Sequence, residues 1–175
     1  TNGCEISDTV FVYVTPIVPV DAGDSSVICF GDSISIGNNI SPNHATFQWT
    51  ASSDVENSTE AETRAFPNTS KWIYLTASSD TCSSLDSVYL TVHELPKVQL
   101  DPKDITVCQK DTISILAFGA STYNWTTSEN VLERESLVTA IVQNSFSLIV
   151  EGIDSNFCSN YDTASIDVLP IPIPS

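Results

Sequence analysis

The stretch Cys82-Ser83-Ser84-Leu85-Asp86-Ser87-Val88-Tyr89-Leu90-Thr91-Val92, closed by Pro96, decides the fold, because the chain carries three versions of it. The first version runs from Cys4 through Asp8-Thr9-Val10-Phe11-Val12-Tyr13-Val14 to Pro16. The third runs from Cys158 through Asp162-Thr163-Ala164-Ser165-Ile166-Asp167-Val168 to Pro170. Each has an Asp four residues after the Cys, then small or apolar residues at plus six, eight and ten. A period of two means an extended strand with one buried face. The proline that follows offers no N–H to a ladder, so it ends the strand and stiffens the exit. The stretch is therefore expected to be the last strand of a repeated β-domain, with a linker behind it.

The rest of the chain repeats with it. Val27-Ile28-Cys29-Phe30-Gly31-Asp32-Ser33-Ile34-Ser35-Ile36 matches Thr106-Val107-Cys108-Gln109-Lys110-Asp111-Thr112-Ile113-Ser114-Ile115, and Phe47-Gln48-Trp49 matches Tyr123-Asn124-Trp125. Trp49 lies 33 residues before Cys82, and Trp125 lies 33 before Cys158. Self-similarity of this length marks tandem modules. The expected organisation is a closing strand and linker of a preceding repeat at 1–18, repeat A at 19–96, repeat B at 97–170 and a proline-rich linker at 171–175. Trp72 finds its counterpart in Phe146.

Within a repeat, the pattern predicts a strand up to the first Cys, a tight turn at Gly31 or Lys110, and a short alternating strand. A Trp strand, a polar stretch (52–63 or 127–135), a long strand and the closing strand follow. The segments 55–64 and 131–136 are short and uncapped and read as loops. Six or seven short strands punctuated by turns make a two-sheet sandwich. Trp49 and Trp125, recurring at one place, are expected to plug the core.

Composition narrows the function. With 22 acidic residues against 6 basic ones and a formal charge of −16, the chain is unsuited to neutralising phosphates, which argues against nucleic acid and against anionic membrane surfaces. No apolar run approaches the roughly 18 residues of a membrane span, so no direct membrane insertion is expected. The chain starts with Thr and lacks methionine, and it reads as an internal piece of a longer, processed protein. Five cysteines outside any CxxC pattern suggest an oxidising compartment rather than a zinc ribbon.

The ordered set Cys-x-Gly-Asp-Ser-Ile-x-Ile, aromatic-x-Trp, and Cys-x3-Asp-Ser/Thr-Val-x-Val with Pro resembles the PKD-like, immunoglobulin-like repeats of large secreted surface proteins of Bacteroidota. It covers nearly the whole chain. Lys110 in place of the turn Gly and Ala164 in place of Val depart from the pattern. The resemblance implies an all-β chain of tandem immunoglobulin-like (PKD-like) β-sandwich modules, of the kind found in adhesins and gliding-associated stalks exported by the type IX system. It also implies O-glycans on Asp-Ser/Thr triplets, here at Thr9, Ser33, Ser87, Thr112 and Thr163. The same triplets are good strand-entry chemistry, since an Asp carboxylate accepts nearby backbone N–H groups. Asn39, Asn57, Asn68 and Asn124 lie in N-x-S/T triplets, which matter only where N-glycosylation machinery exists.

Two disulfide schemes stand side by side. Bonds within each repeat, Cys29–Cys82 and Cys108–Cys158, would each close about 50 residues and contribute roughly 4 kcal/mol. In an immunoglobulin-like sandwich, however, those cysteines sit at opposite ends of a strand of roughly 20 Å, whereas bonded Cα atoms lie within about 7 Å. A bond between modules, Cys29–Cys158, avoids that difficulty. In the first scheme Cys4 has its partner outside the chain; in the second, Cys4, Cys82 and Cys108 have partners outside it or stay reduced.

No catalytic constellation is evident. His93-Glu94 leads into Leu95-Pro96-Lys97 rather than an HExxH helix, and His44 has no ligands near it in sequence. No cofactor is expected. Asp21, Asp24, Asp101 and Asp104 are weak calcium candidates, since carboxylates near module junctions can converge on a cation. The expected protein is not an enzyme but a structural and interaction segment of a long extracellular, cell-surface repeat protein: a stalk, adhesin or filament subunit. Its expected partners are neighbouring modules of the same chain, with lateral self-assembly through exposed strand edges. The alternatives are an accessory β-sandwich region of a secreted hydrolase and a carbohydrate-binding module.

Overall fold

Period-two patterning resolves into fourteen strands and no helix among the described residues of a computed structural model, which are 3–14, 17–38, 45–80, 82–127 and 131–172. Pro16, Asn39, His44 and Pro174 lie outside them. The chain divides into two compact units, Thr1–Val92 and His93–Ser175.

The first unit contains β1 (Ser26–Cys29), β2 (Ile34–Gly37), β3 (Thr46–Trp49), β4 (Glu62–Ala65), β5 (Lys71–Ser78) and β6 (Ser83–His93). One sheet has the order β1-β6-β5-β3, and the other is the pair β2-β4. The second unit contains β7 (Gln99–Asp101), β8 (Asp104–Cys108), β9 (Thr112–Phe118), β10 (Thr122–Thr127) and β11 (Leu132–Arg134). It continues with β12 (Leu137–Ile141), β13 (Phe146–Ile153) and β14 (Ser159–Leu169). Its sheets have the orders β10-β13-β14-β8 and β11-β12-β9-β7. A four-stranded sheet with a second sheet of two strands in the first unit and of four in the second, split between these sequence positions, is an immunoglobulin-like arrangement. The chain is all-β, built of tandem immunoglobulin-like β-sandwich modules.

Alternation explains the two cores. β5 buries Ile73, Leu75 and Ala77, and β6 buries Val88 and Leu90 against Ile36, Phe47 and Trp49. In the second unit, β13 buries Phe146, Leu148 and Val150, and β14 buries Ala164 and Ile166 against Ile113, Ile115 and Val138. Each buried aliphatic side chain contributes about 1.5–3 kcal/mol. The turns after the first cysteines are equivalent: Asp32 N–H donates to Cys29 O at 3.0 Å, and Asp111 N–H to Cys108 O at 3.1 Å. Their third residues, Gly31 and Lys110, have φ of 90° and 73°. Lysine there occupies a left-handed conformation that costs a non-glycine residue about 1–2 kcal/mol.

Several expectations need correcting. Residues 3–14 form no strand and are exposed throughout, although they carry the closing-strand pattern. The segments 55–64 and 131–136, expected as loops, hold most of β4 and all of β11, and β12 is a further strand that the pattern did not predict. Trp49 is fully buried, but Trp125 packs only partly buried at the flank of its core. Val55 and Ala61 join the cluster that holds Trp49, whereas Val131 in the second unit is only half-buried at the edge of its core. The register also reassigns Trp72. Trp49 faces Leu75 and Trp125 faces Val150, so Trp72 is equivalent to Ser147, and Phe146 corresponds to Lys71.

Candidate functional site

The recurring Asp of the closing strand is a latch. In the first unit, Asp86 Oδ2 accepts the Ala22 N–H at 2.8 Å. In the second, Asp162 Oδ2 accepts the Leu100 N–H at 3.0 Å, and Lys103 Nζ donates to its other oxygen at 2.6 Å. Each carboxylate thus ties the segment that enters a module to the strand that leaves it. Charge-assisted bonds of this kind are stronger than neutral ones. Burial works against ionisation of Asp162, but the Lys103 ammonium and the N–H groups of Thr163 and Leu100 outweigh it, so its carboxyl is held below the ordinary aspartate value. Asp111 Oδ2 accepts the Cys108 N–H at 3.0 Å and braces the turn. Asp8 is different: its carboxylate accepts the N–H of the adjacent Thr9 at 2.8 Å, a purely local contact.

The residues after these aspartates differ in access. Thr9, Ser33, Thr112 and Thr163 are exposed, and Ser87 is half-buried. The backbone role of Asp86, Asp111 and Asp162 accounts for their recurrence without any modification.

Cys29 and Cys158 are disulfide-bonded. Cys4 and Cys108 are exposed thiols. The Cys108–Cys158 scheme therefore fails, and the register shows why. β8 runs parallel to β14 with Cys108 opposite Leu169, while Cys158 precedes the first residue of β14. The two cysteines are separated by the length of β14, roughly 35 Å at about 3.3 Å per residue. Cys158 is fully buried in a turn where Asp154 Oδ1 accepts its N–H at 3.0 Å.

The calcium candidates do not converge. Asp21 spends its oxygens on the Gly23 N–H at 2.9 Å and the Asn38 amide at 2.6 Å. Asp24, Asp101 and Asp104 are exposed. Among the described residues, no group of three or more His, Cys, Asp or Glu side chains is placed to hold a metal ion. A cleft of about 460 Å³ beside β4, lined by Glu56, Glu60, Glu62 and Arg64, is open and acidic.

Sequence reasoning missed two tyrosine contacts. The Tyr123 hydroxyl donates to Ala120 O and accepts the Ala120 N–H, both at 3.0 Å, which fixes the turn before β10. The Tyr161 hydroxyl donates to Glu151 at 2.8 Å. That bond raises the phenol's pKa and lowers the carboxyl's. The signal was the pairing of Glu151 opposite Tyr161, which requires the register to be known. The indole N–H groups of Trp49 and Trp125 are satisfied alike, the first by Glu60 O at 2.8 Å and the second by Glu135 O at 2.9 Å.

No family model matches the chain, and no curated protein matches it in sequence. Solved structures do. The titin domains Z1Z2 in complex with telethonin match at 14% identity over 85% of this chain and 94% of that one, with a TM-score of 0.38. Drosophila OTK extracellular domains 3–5 match at 10% identity over 88% and 65%, at 0.34. The N-terminal four Ig domains of Dscam1 isoform 1.9 match at 11% identity over 85% and 44%, at 0.35. The immunoglobulin assignment itself rests on strand order and register.

Proposed function

We propose that this chain is a structural segment of a long extracellular repeat protein, a stalk, adhesin or filament subunit of the type exported by Bacteroidota. The observation that carries the reading is residues 3–14. They carry the closing-strand sequence a third time, with Asp8, Val10 and Val12 in the places of Asp86, Val88 and Leu90, yet they form no strand and every residue is exposed. Val10, Val12 and Val14 stand open to solvent where the equivalent residues of β6 are wholly or partly buried. Such a strand belongs to a further module of the same kind, whose entering segment supplies the N–H that Asp8 lacks. The disulfide state of Cys29 and Cys158 supports an oxidising, extracellular setting. It also supports a Cys29–Cys158 staple between consecutive modules. O-glycans at Thr9, Ser33, Ser87, Thr112 and Thr163, and lateral assembly through strand edges, belong to the same reading.

The test is to extend the chain upstream by one natural repeat length and follow amide hydrogen exchange. The N–H groups of Val10 and Val12 become protected if a further sandwich takes up the strand, and persistent fast exchange removes the proposal. Peptide mapping without reduction checks the staple, because a Cys29–Cys82 peptide is incompatible with it. Intact-mass spectra of native material check the glycans.

A further inference from the structure

The outer face of β5 and β6 carries three aromatic side chains that the fold does not require. Trp72 is 51% exposed and Tyr74 is 39% exposed on the same side of β5. Tyr89 of β6 stands directly opposite Trp72, with ring centroids 5.1 Å apart and planes tilted by 56°. The second unit provides the control. Its equivalent cross-strand pair is Ser147 opposite Ser165, and Tyr74 corresponds to Ile149. The same strand pair is therefore built without aromatics, so Trp72 and Tyr89 exceed what the architecture needs.

The surroundings specify a ligand. The outward positions of β3, β5 and β6 from Thr46 to Tyr89 carry no charged side chain, in a chain with 28 charged residues. Beside the exposed Leu85 they offer hydroxyls and an amide: Thr46, Gln48, Thr76, Ser78 and Ser87. Among the described residues, the hydroxyls of Tyr74 and Tyr89 take no hydrogen-bond partner, whereas those of Tyr123 and Tyr161 do. A face with no cation in a chain of net charge −16 repels anions. Trp72 and Tyr89 lean on each other, which leaves no slot between them for a cation to enter as in an aromatic cage. A purely apolar partner would strand the hydroxyl rim, and polar groups buried without partners are costly. What remains is a neutral, polyhydroxylated ligand whose rings present flat C–H faces to Trp72 and Tyr74 and whose hydroxyls meet the rim. Trp72 and Tyr74 are two residues apart, roughly 6.7 Å, so one chain of linked rings spans both.

We propose that the Trp72–Tyr74–Tyr89 face binds a neutral polysaccharide, a function beyond the structural role above. The experiment is native affinity electrophoresis of the full chain in gels containing hydroxyethylcellulose, neutral xylan or galactomannan, with polygalacturonate as the anionic control. The expected result is retardation by at least one neutral polymer and none by polygalacturonate. Trp72→Ser and Tyr89→Ser, which install the second unit's own residues, should weaken retardation about tenfold, on the scale of an aromatic contact. Tyr74→Phe should weaken it less, and Tyr161→Phe on the other unit should leave it unchanged. Circular dichroism confirms that each variant is folded. Absence of retardation by all three neutral polymers overturns the proposal, as does unaltered retardation of Trp72→Ser. A concentration-dependent dimer in sedimentation that Trp72→Ser abolishes also overturns it, because the face is then covered by a second copy.

Discussion

Replacing Asp86 or Asp162 by Ala should unlatch one module at a time, by amounts the hydrogen-bond partners fix in advance. Asp86 holds one backbone N–H, that of Ala22, 64 residues earlier in the same unit. A partly buried bond to a charged acceptor contributes about 1.5–3 kcal/mol, including the cost of stranding the donor. Asp86→Ala should therefore destabilise the first module by about that much. Asp162 holds the Leu100 N–H and also Lys103, whose side chain is 57% exposed. An ion pair so exposed adds about 0–1 kcal/mol. Asp162→Ala should cost slightly more than Asp86→Ala, and Lys103→Ala should cost about 1 kcal/mol or less. Urea unfolding followed by tryptophan fluorescence gives the free energies, and amide exchange gives the location. In Asp86→Ala the Ala22 amide should exchange faster while Leu100 keeps its rate, and in Asp162→Ala the reverse should hold. The latch reasoning is refuted if either variant costs less than about 0.5 kcal/mol, below the range for a bond of this type. It is also refuted if Lys103→Ala costs as much as Asp162→Ala, because the carboxylate would then serve the lysine and not the backbone.

Lys110→Gly should raise stability by about 0.5–1 kcal/mol, because glycine relieves the left-handed φ at the turn after β8; an unchanged urea midpoint would contradict this. Gly37→Ala should be destabilising by about 3 kcal/mol or more, since φ is +78° and a Cβ would fall on the Ala61 carbonyl and 2.9 Å from Trp49 Cζ2; thermal melting reads the loss. Asp162 has a carboxyl pKa lowered by folding, so its contribution is complete above the unfolded value of about 3.9 and is lost as the pH falls through the lower, folded value. The stability gap between the natural chain and Asp162→Asn should accordingly be widest near neutrality and shrink in acid, and a gap independent of pH would exclude the linkage.

The repeat was legible because its markers are rigid. The Trp–Cys interval and the Cys-x3-Asp closing strand survive both module copies, and β5, β6, β13 and β14 followed from their alternation. β4 was hidden because Glu62-Thr63-Arg64-Ala65 buries a threonine and an alanine, residues whose hydrophobic signal is too weak to show a period. β12 has a clear Val138-Ala140 alternation, but it is only five residues long, between the polar stretch and the long strand. Trp72 was misplaced by one residue, and in a strand one residue is the difference between core and surface. The Asp latch was partly legible: strand-entry chemistry was the right class, but the acceptor's partner lies some 60 residues away and only the register reveals it. The aromatic face was illegible, since Trp72 and Tyr89 become neighbours only across β5 and β6.

The parallel ladder between β8 and β14 has a mechanical consequence. Asp104 to Cys108 lie beside Ser165 to Leu169 with both strands pointing the same way. Tension applied at the start of β8 and the end of β14 pulls the two strands past each other along their own axes. The five registered positions then resist together, in shear, rather than parting one at a time as they would if peeled from an end. Asp162, six residues inside the leaving strand from Val168, ties the entering segment across that same seam. A module so wired should yield to stretching late and all at once.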